Sequence, residues 1–300
     1  MHAPSAKRGI LLMIAGSSIF STNDAFSKLA LEHIPPSQIL AVRGLMAALC
    51  LIAVLGWKGQ LPALRFAADW RVLARAVAEA CVAMLFITAI TRMSIADATA
   101  ILQITPLATM AVAVLFFGAH IGWRQWLAVA VGFAGVMLIV KPASSAFDPM
   151  ALLPLAAALL MAFRDFITGR IGAHVPTLVV TFGTTVVGMS FGIAGSSVET
   201  WHALDGATLA YLVGGSLSLV VGHMLTISAF RAAETAVVSP FRYASVVVAV
   251  GLSAALFHQM PDLVSIGGMA LIMAAGLYTM HHHLAARPVV VARKEPRGAA

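Results

Sequence analysis

The feature that most constrains this chain is a series of long apolar stretches, each long enough to cross a lipid bilayer. A helix needs about 20 mainly apolar residues to span a hydrocarbon core of roughly 30 Å. Ten stretches meet that length, and only short segments lie between them. They run approximately over residues 9–31, 36–57, 69–91, 97–118, 123–141, 149–171, 176–195, 207–230, 235–257 and 262–283. The sequence therefore predicts an all-α polytopic membrane protein with ten transmembrane helices.

Composition supports a membrane location and argues against several classes of function. Hydrophobic residues make up 60% of the chain and charged residues only 10%, whereas about a quarter of a typical soluble domain is charged. The basic residues fall mostly between apolar stretches, which is typical of membrane flanks rather than of a nucleic-acid-binding surface. The two cysteines, Cys50 and Cys81, provide neither a disulfide framework nor metal-ligand spacing. The sequence therefore predicts no metal, no cofactor and no nucleic-acid partner.

The placement of Lys and Arg predicts the orientation of the chain. If the N-terminus is cytoplasmic, three basic residues between the stretches face outward, namely Lys28, Arg92 and Lys141. Twelve then face the cytoplasm: Lys7, Arg8, Lys58, Arg65, Arg71, Arg124, Arg170, Arg231, Arg287, Arg293, Lys294 and Arg297. Because cytoplasmic loops carry an excess of Lys and Arg, both termini are predicted to be cytoplasmic. The predicted location is the bacterial inner membrane, and the basic tail at residues 284–300 is predicted to be disordered.

Two proline-bearing helices occupy corresponding places in the two halves of the chain. Thr105-Pro106-Leu107 lies inside the fourth stretch and Ser239-Pro240-Phe241 inside the ninth. Each proline lacks a backbone N–H, so the carbonyls of Leu102 and Ala236 lose their helical donors and both helices are predicted to kink. The alternative is that the kinks only help packing.

The paired prolines and an odd number of spans per half together predict an inverted repeat. Five spans per half require the second copy to be upside down relative to the first. The first repeat is predicted over residues 1–145 and the second over residues 146–283. Inverted repeats are typical of secondary transporters, which bind substrate near the membrane midplane between the repeats.

At these residues the chain resembles the EamA repeat of the drug/metabolite transporter superfamily, in two copies over roughly residues 9–280. The matching segments are Gly9 to Phe26 with Lys28 and Arg43, Ala96-Asp97-Ala98 through Pro106, Gly135-Val136-Met137-Leu138, Ser239-Pro240-Phe241-Arg242-Tyr243, Pro261-Asp262 and Gly276-Leu277-Tyr278. The resemblance implies a ten-helix carrier of small metabolites, and it is strongest on the amino-acid exporter side of the family. One departure is the Gly-Glu pair that the family commonly has after the proline-bearing helix. The turns here are Gly118-Ala119-His120 and Phe257-His258-Gln259, with no acid in either.

Ionisable residues inside the spans are candidate functional residues, because a charge at the bilayer centre is costly. In the first span, Ser17, Ser21, Asp24 and Lys28 share one helix face. This pattern predicts either a polar stripe along a water-filled pathway or an Asp24–Lys28 pair near the outer interface, with Lys28 reaching towards water.

Further charges are predicted to need partners on other helices. Arg164 and Asp165 are adjacent and diverge by about 100° around the sixth helix, so they cannot simply pair with each other. Arg43 is predicted to meet an acid such as Asp24 or Asp165, and Arg242 either to bind a carboxylate or to cap carbonyls freed by Pro240. Arg75 and Glu79 are predicted to form a structural i,i+4 pair.

The predicted substrate-binding residues combine these charges with polar and aromatic neighbours. Gln103 shares a face with Pro106, and His223 lies at helical spacing from Ser216 and Thr226; a satisfied interhelical donor is the alternative role for this histidine. The full predicted set is Asp24, Gln103, Pro106, Phe163, Arg164, Asp165, His223, Pro240, Arg242 and Tyr243. Asp24 and Asp165 are the carboxylates expected to carry protons if transport is proton-coupled.

A secondary transporter is the function that these features favour. No P-loop, dinucleotide fingerprint or HExxH motif is present, and the enzyme alternative rests only on His223 with scattered serines. A receptor or scaffold would need larger loops or tails. The predicted activity is export of amino acids, including aromatic and apolar ones, with uptake or exchange of a nucleoside-like or sugar-like compound as the alternative. One GxxxG pair, Gly188 and Gly192, indicates close helix packing and leaves the choice between monomer and dimer open.

Overall fold

The computed structural model describes residues 6–108, 122–142, 148–168, 170–172, 174–232 and 238–285. The α-helices are α1 (Ala6–Ala30), α2 (Pro36–Trp57), α3 (Trp70–Ala89), α4 (Ile95–Leu102), α5 (Trp123–Val140), α6 (Leu152–Thr168), α7 (Thr177–Gly195), α8 (Gly206–Ala232), α9 (Ala244–Phe257) and α10 (Leu263–Ala285). Short 3-10 segments lie at Leu61–Ala68, Pro149–Ala151 and Ser239–Tyr243. No strand occurs within these described ranges, which agrees with the predicted all-α class.

Length and composition identify membrane-spanning helices directly. Among the described residues, five segments are long and apolar enough to cross a membrane: Pro36–Trp57, Trp70–Ala89, Trp123–Val140, Thr177–Gly195 and Gly206–Thr226. Further apolar helices of 10–17 residues lie at Ile95–Ala108, Pro149–Arg164, Phe241–Phe257 and Leu263–Thr279. The prediction of a polytopic helical membrane protein is confirmed, and the count of ten spans stays a prediction.

Prolines and acidic side chains begin many of these helices. Pro35 and Pro176 are the N-cap residues of α2 and α7, where an extended backbone and a missing N–H suit the start of a helix. Asp69 accepts a hydrogen bond of 2.8 Å from the Arg71 amide ahead of α3. Asp205 and Asp262 cap α8 and α10 in the same way, through the amides of Thr208 and Ser265. Three of the twelve acidic residues of the chain thus cap helices.

The helices pack in reciprocal pairs between the two halves of the chain. Extensive contacts join α1 with α8 and α3 with α6, so the first and third helices of each half pack against the third and first of the other. The second, fourth and fifth helices meet their counterparts, as α2 with α7, α4 with α9 and α5 with α10. The largest buried apolar cluster lies among α4, α5, α6, α9 and α10.

Glycines allow two of these pairs to approach at backbone distance. A side chain at Gly192 of α7 would place its Cβ 2.5 Å from the Ser37 carbonyl oxygen of α2. Gly135 and Gly268 are reciprocal, since a Cβ at either position would lie within 2.7 Å of the other glycine's carbonyl oxygen. The GxxxG pair at Gly188 and Gly192 therefore packs α7 on α2 within one chain.

The fourth span is interrupted close to its proline. Helix α4 ends at Leu102, Gln103 and Ile104 form a turn, and residues 105–108 are helical again. The Thr105 hydroxyl donates a hydrogen bond of 2.6 Å to the Leu102 carbonyl, the acceptor that Pro106 cannot serve. The predicted loss of a backbone donor at this position is thus compensated by the preceding hydroxyl residue. Ala236, the corresponding residue in the other half, lies outside the described residues.

Candidate functional site

A small cavity lies inside the bundle, between helices from both halves of the chain. Its volume is about 60 Å³, and helices α2, α3, α7 and α8 form its walls. The lining residues are Leu40, Arg43, Gly44, Glu79, Ala80, Ala83, Thr184, Thr185, Gly188, Leu219 and His223. A void of this volume holds a few waters but is smaller than the roughly 150 Å³ that accommodates benzene. The cavity as it stands in this structure is therefore too small for a metabolite.

The two ends of the bundle can be assigned from the course of α1 and α3. Lys28, near the C-terminus of α1, donates to the carbonyl of Met93, just beyond α3. Arg75 lies near the N-terminus of α3 and so towards the opposite end. We call these the Lys28 end and the Arg75 end.

Arg43 forms the wall of the cavity on the side of the Lys28 end. Its side chain is only 6% exposed, although a guanidinium is always charged. One nitrogen, Nη1, donates to Ser27 Oγ at 2.7 Å and to Asn23 Oδ1 at 3.1 Å. Asn23 in turn donates to Asp24 Oδ1 at 3.0 Å. Arg43 thus joins α2 to α1 through neutral groups, and Asp24 interacts with it electrostatically rather than by a hydrogen bond.

Glu79 is the centre of a second polar network, towards the Arg75 end. Its carboxylate lies 2.5 Å from Arg164 Nη1 on α6 and 3.9 Å from Arg75 Nη2 on its own helix. Arg75 also donates to Thr168 at 3.1 Å and to Thr184 at 2.7 Å. These contacts connect α3 with both α6 and α7.

This network supplies the partner that Arg164 was predicted to need on another helix. The sequence interpretation restricted Glu79 to a pair with Arg75 and left it out of the candidate site. The position of the Glu79 carboxylate inside an apolar span was the sequence feature that could have placed it in the candidate site. The cavity also contains Thr184 and Thr185, which the sequence interpretation did not select. Their two adjacent hydroxyl groups inside the apolar α7 stretch were the sequence feature that could have identified them as candidate site residues.

His223 lies in the wall of the cavity, as a half-buried residue of α8. Its ring meets the Phe20 ring of α1 edge to face, with centroids 5.0 Å apart. Of the predicted substrate-binding residues whose side chains the structure describes, His223 is the one that lines the cavity itself. Arg164 lies next to it in the Glu79 network, and Asp24 in the Arg43 network.

A separate polar seam forms where the α4 turn meets the 3-10 segment Ser239–Tyr243 and the start of α9. Gln103 of the α4 turn donates to the Arg242 carbonyl at 3.0 Å and to Ser245 Oγ at 3.1 Å. From α1, the Ser21 hydroxyl donates to the Ser245 carbonyl at 2.8 Å, and Ser17 Oγ lies 3.5 Å from the Phe241 carbonyl. The serines predicted as part of a polar stripe therefore bind the backbone of the interrupted ninth span.

The remaining predicted residues are dispersed. Pro106 is exposed beside the α4 turn, and Phe163 is 52% exposed on α6. Tyr243 is buried, and its hydroxyl has no hydrogen-bond partner among the described residues. The side chains of Asp165 and Pro240 lie outside those that the structure describes.

At the Lys28 end, polar links connect the two halves outside the cavity. Lys28 donates to Gln259 Oε1 at 2.8 Å, and its ammonium lies 5.1 Å from the centroid of the Phe257 ring. Gln259 and Phe257 belong to the turn that departs from the family's Gly-Glu pattern. The Asp24–Lys28 pair considered from the sequence is thus replaced by contacts of Lys28 with this turn and with Met93.

An ion pair of Lys141 with Asp262 adds a second link at this end, between the C-terminus of α5 and the start of α10. Hydrogen bonds from Lys141 and from the Ser265 amide lower the pKa of the Asp262 carboxyl to about 2. Asp262 is therefore ionised at neutral pH. Within the described part of the chain, no group of three or more His, Cys, Asp or Glu side chains is arranged to hold a metal ion.

Comparison with known proteins places this architecture in a family. Residues 7–141 match the model of the EamA-like transporter family. A riboflavin transporter from Rhizobium johnstonii is 32% identical over 230 residues, which cover 75% of this chain and 74% of that protein. This chain belongs to the EamA-like transporter family. The predicted family resemblance is confirmed, and the closer resemblance to amino-acid exporters stays a prediction.

Two further transporters are similar to this chain over different lengths. An S-adenosylmethionine uptake transporter from Rickettsia bellii is 27% identical over 188 residues, and the chain spans only 64% of that protein's length. The pseudopaline exporter CntI from Pseudomonas aeruginosa is 25% identical over 278 residues, covering 90% of this chain and 94% of that protein. A crystal structure at 18% identity has a TM-score of 0.66 and covers 94% of this chain, which shows a shared fold. Because the family and these relatives are transporters, the prediction that the chain is not an enzyme is confirmed.

Proposed function

We propose that this EamA-like protein is a secondary transporter that carries a small metabolite through the cavity bounded by α2, α3, α7 and α8. The observation that carries the proposal is the cavity's position, with two walls from each half of the chain and a charged network on either side. Binding between two repeats that move relative to each other is how such transporters expose one site alternately to each side of the membrane.

We further propose that the halves are inverted repeats, over residues 1–145 and 146–283. The reciprocal packing of α1 with α8 and α3 with α6 supports this, because a pseudo-two-fold axis would exchange these two pairs. The same axis would map the α2–α7, α4–α9 and α5–α10 pairs onto themselves. In the proposed cycle, the Glu79 network opens at the Arg75 end and the Lys28 and Lys141 links open at the Lys28 end.

For the substrate, we propose an amino acid with an apolar side chain, and export as the direction. Leu40, Ala80, Ala83 and Leu219 offer apolar surface, while Arg43 offers a positive charge for the carboxylate of an amino acid. The relatives favour a second candidate, uptake of a larger metabolite, since they include proteins named as riboflavin and S-adenosylmethionine transporters.

Counterflow into proteoliposomes tests transport and separates these candidates. Purified protein is reconstituted and loaded in turn with L-phenylalanine, L-methionine, S-adenosylmethionine and riboflavin, and entry of the labelled compound is measured. Accumulation above that in protein-free liposomes is expected for at least one compound. No accumulation of any of the four would contradict the proposal. Measurements with and without a pH gradient would show whether transport is proton-coupled.

If it is coupled, Asp24 and Asp165 are the proposed proton carriers. We expect Asp24→Asn to change the pH dependence of counterflow, and an unchanged profile would exclude Asp24. Orientation can be tested in a background with Cys50 and Cys81 replaced by alanine, since the chain has only these two cysteines. A cysteine at Arg92 should then react with an impermeant maleimide added outside intact cells, and one at Arg124 should not.

A further inference from the structure

We propose that Arg43 binds a carboxylate of the transported compound. The feature recognised in the cavity is then a singly charged carboxylate of the kind that amino acids carry. The inference rests on the proposed transport function and specifies its substrate class. Its basis is a buried guanidinium that lines the cavity with part of its hydrogen-bonding capacity unused.

The hydrogen bonds of Arg43 leave one side of the guanidinium available. Both bonds, to Ser27 and to Asn23, use Nη1. Nε and Nη2 have no hydrogen-bond partner among the described residues, although the side chain is only 6% exposed. These two nitrogens form the fork that binds a carboxylate through two parallel N–H···O bonds. A buried polar group is ordinarily hydrogen-bonded, so donors left open towards a cavity indicate a ligand.

Charge pairing distinguishes Arg43 from the other two arginines near the cavity. Arg164 and Arg75 both lie within 4 Å of the Glu79 carboxylate. Arg43 has no carboxylate within that distance in the described part of the chain, because Asp24 is held by Asn23 instead. A buried charge is costly unless it is paired. An anionic ligand would add the direct ion pair that the described residues do not supply, since Asp24 interacts with Arg43 only at longer range.

The other walls restrict which anion is suitable. Gly44 and Gly188 add no side chains beside Arg43, and Leu40, Ala83 and Leu219 are apolar. These apolar side chains offer no hydrogen bonds to the additional oxygens of a doubly charged phosphate, whose desolvation would be costly. A carboxylate attached to an apolar group therefore fits better than a phosphate ester. The cavity must enlarge beyond 60 Å³ to admit it, as alternating access requires.

The alternative role for Arg43 is purely structural, as a tie between α1 and α2 through Ser27 and Asn23. Ligand discrimination separates the two roles, because a structural tie would not make binding depend on a ligand's charge. Thermal unfolding in detergent can measure the dissociation constants of matched compounds. The pairs are L-phenylalanine with phenylalaninamide and L-methionine with methioninamide; riboflavin and riboflavin 5′-phosphate are added separately.

For the wild-type protein, we expect each amide to bind at least about tenfold more weakly than its acid, because the amide lacks the carboxylate that accepts a charge-assisted hydrogen bond from Arg43. Arg43→Gln should remove most of this preference, and Arg43→Lys should retain part of it because it keeps the charge but loses the fork. Arg92→Gln, at an exposed arginine outside the cavity, is the control and should keep the wild-type preference. Size-exclusion profiles check that each variant is folded.

Equal binding of acids and amides, no binding of either acid, or an undiminished preference in Arg43→Gln would overturn the assignment. Tighter binding of riboflavin 5′-phosphate than of both acids would also overturn it. Counterflow separates these failures from failure of the transport proposal. Riboflavin entry that Arg43→Gln leaves unchanged would refute the carboxylate assignment alone, whereas absence of counterflow with every compound would refute transport.

Discussion

Glu79→Ala is the substitution whose effect can be worked out most directly from the structure. It removes the carboxylate that binds Arg164 at 2.5 Å and approaches Arg75 at 3.9 Å. The two arginine side chains are only 11% and 13% exposed, so neither can be well hydrated after the loss. Removing one partner of a buried ion pair costs about 3–5 kcal/mol. Glu79 is itself 19% exposed and Arg75 keeps its bonds to Thr168 and Thr184, so we expect the lower end, about 3 kcal/mol.

Reversible unfolding in mixed micelles, with increasing SDS, would measure this loss. A double-mutant cycle with Arg164→Leu isolates the contact, because the double variant leaves fewer unpaired charges than the two single variants together. We expect the double variant to lose less stability than the sum of the single losses, by about 1.5 kcal/mol or more. Glu32→Ala, at an exposed acid beyond the end of α1, is the control and should change stability by about 0.5 kcal/mol or less.

Two results would refute this reasoning. One is a loss of less than about 1 kcal/mol for Glu79→Ala, because that is the range of a solvated surface pair. The other is additivity of the two single substitutions within about 0.5 kcal/mol, which would mean that Glu79 and Arg164 do not interact energetically.

Three further predictions concern packing, the Lys28 end and the α4 turn. Gly192→Ala should lower the unfolding temperature, because overpacking against Ser37 reduces the free energy of unfolding by about 1–3 kcal/mol. Gly188→Ala is the control and should be neutral, because the nearest atom to its new Cβ lies 3.9 Å away. Equal effects of the two substitutions would contradict the packing. Asp262→Asn should destabilise the protein at neutral pH, because the pKa of Asp262 is lower in the folded protein than its ordinary value of 3.8. The resulting stability is fully present above about pH 3.8 and is lost as the pH falls through about 2. Unfolding curves of the two proteins should therefore converge at low pH, and a constant difference would exclude the ion pair as the cause. Gln103→Ala should slow counterflow with little change in the dissociation constant of the substrate. Gln103 donates a hydrogen bond to the Arg242 carbonyl and does not line the cavity. Weaker substrate binding with an unchanged counterflow rate would contradict this prediction.

Much of the helical architecture could be predicted because its causes are local. The predicted spans 36–57 and 176–195 nearly coincide with α2 and α7, since a proline begins each helix and a continuous apolar stretch fixes its length. The interruption of the fourth span follows from Pro106 in the same way. In each case the deciding interaction lies within a few residues along the chain.

Side-chain partners were harder to predict because they depend on which helices touch. The i,i+4 spacing correctly suggested contact between Arg75 and Glu79, but the shorter contact of Glu79 is with Arg164 on α6. Arg43 was expected to meet an acid such as Asp24 or Asp165; its hydrogen bonds go to Ser27 and Asn23, and Asp24 interacts with it only electrostatically. Spacing along one helix cannot show which neighbouring helix supplies a partner, so the most informative residues of the cavity emerged only from the packing.

The proposed repeats connect the two polar networks. Aligning the N-cap prolines, Pro35 with Pro176, gives these pairs: Asn23 with Arg164, Asp24 with Asp165, Ser27 with Thr168 and Arg43 with Thr184. The two aligned hydroxyls both accept a hydrogen bond from a guanidinium, Ser27 from Arg43 and Thr168 from Arg75.

The networks differ in where their charges are neutralised. Near the Arg75 end, Glu79 pairs with both Arg75 and Arg164, whereas near the Lys28 end the guanidinium of Arg43 meets only neutral hydrogen-bond acceptors. Two repeats with equivalent backbones would by themselves provide two equivalent sites. Among the described residues no carboxylate lies within ion-pair distance of Arg43, because Asp24 interacts with it only at longer range. This difference breaks the equivalence, and we expect an anionic substrate to be stabilised most beside Arg43.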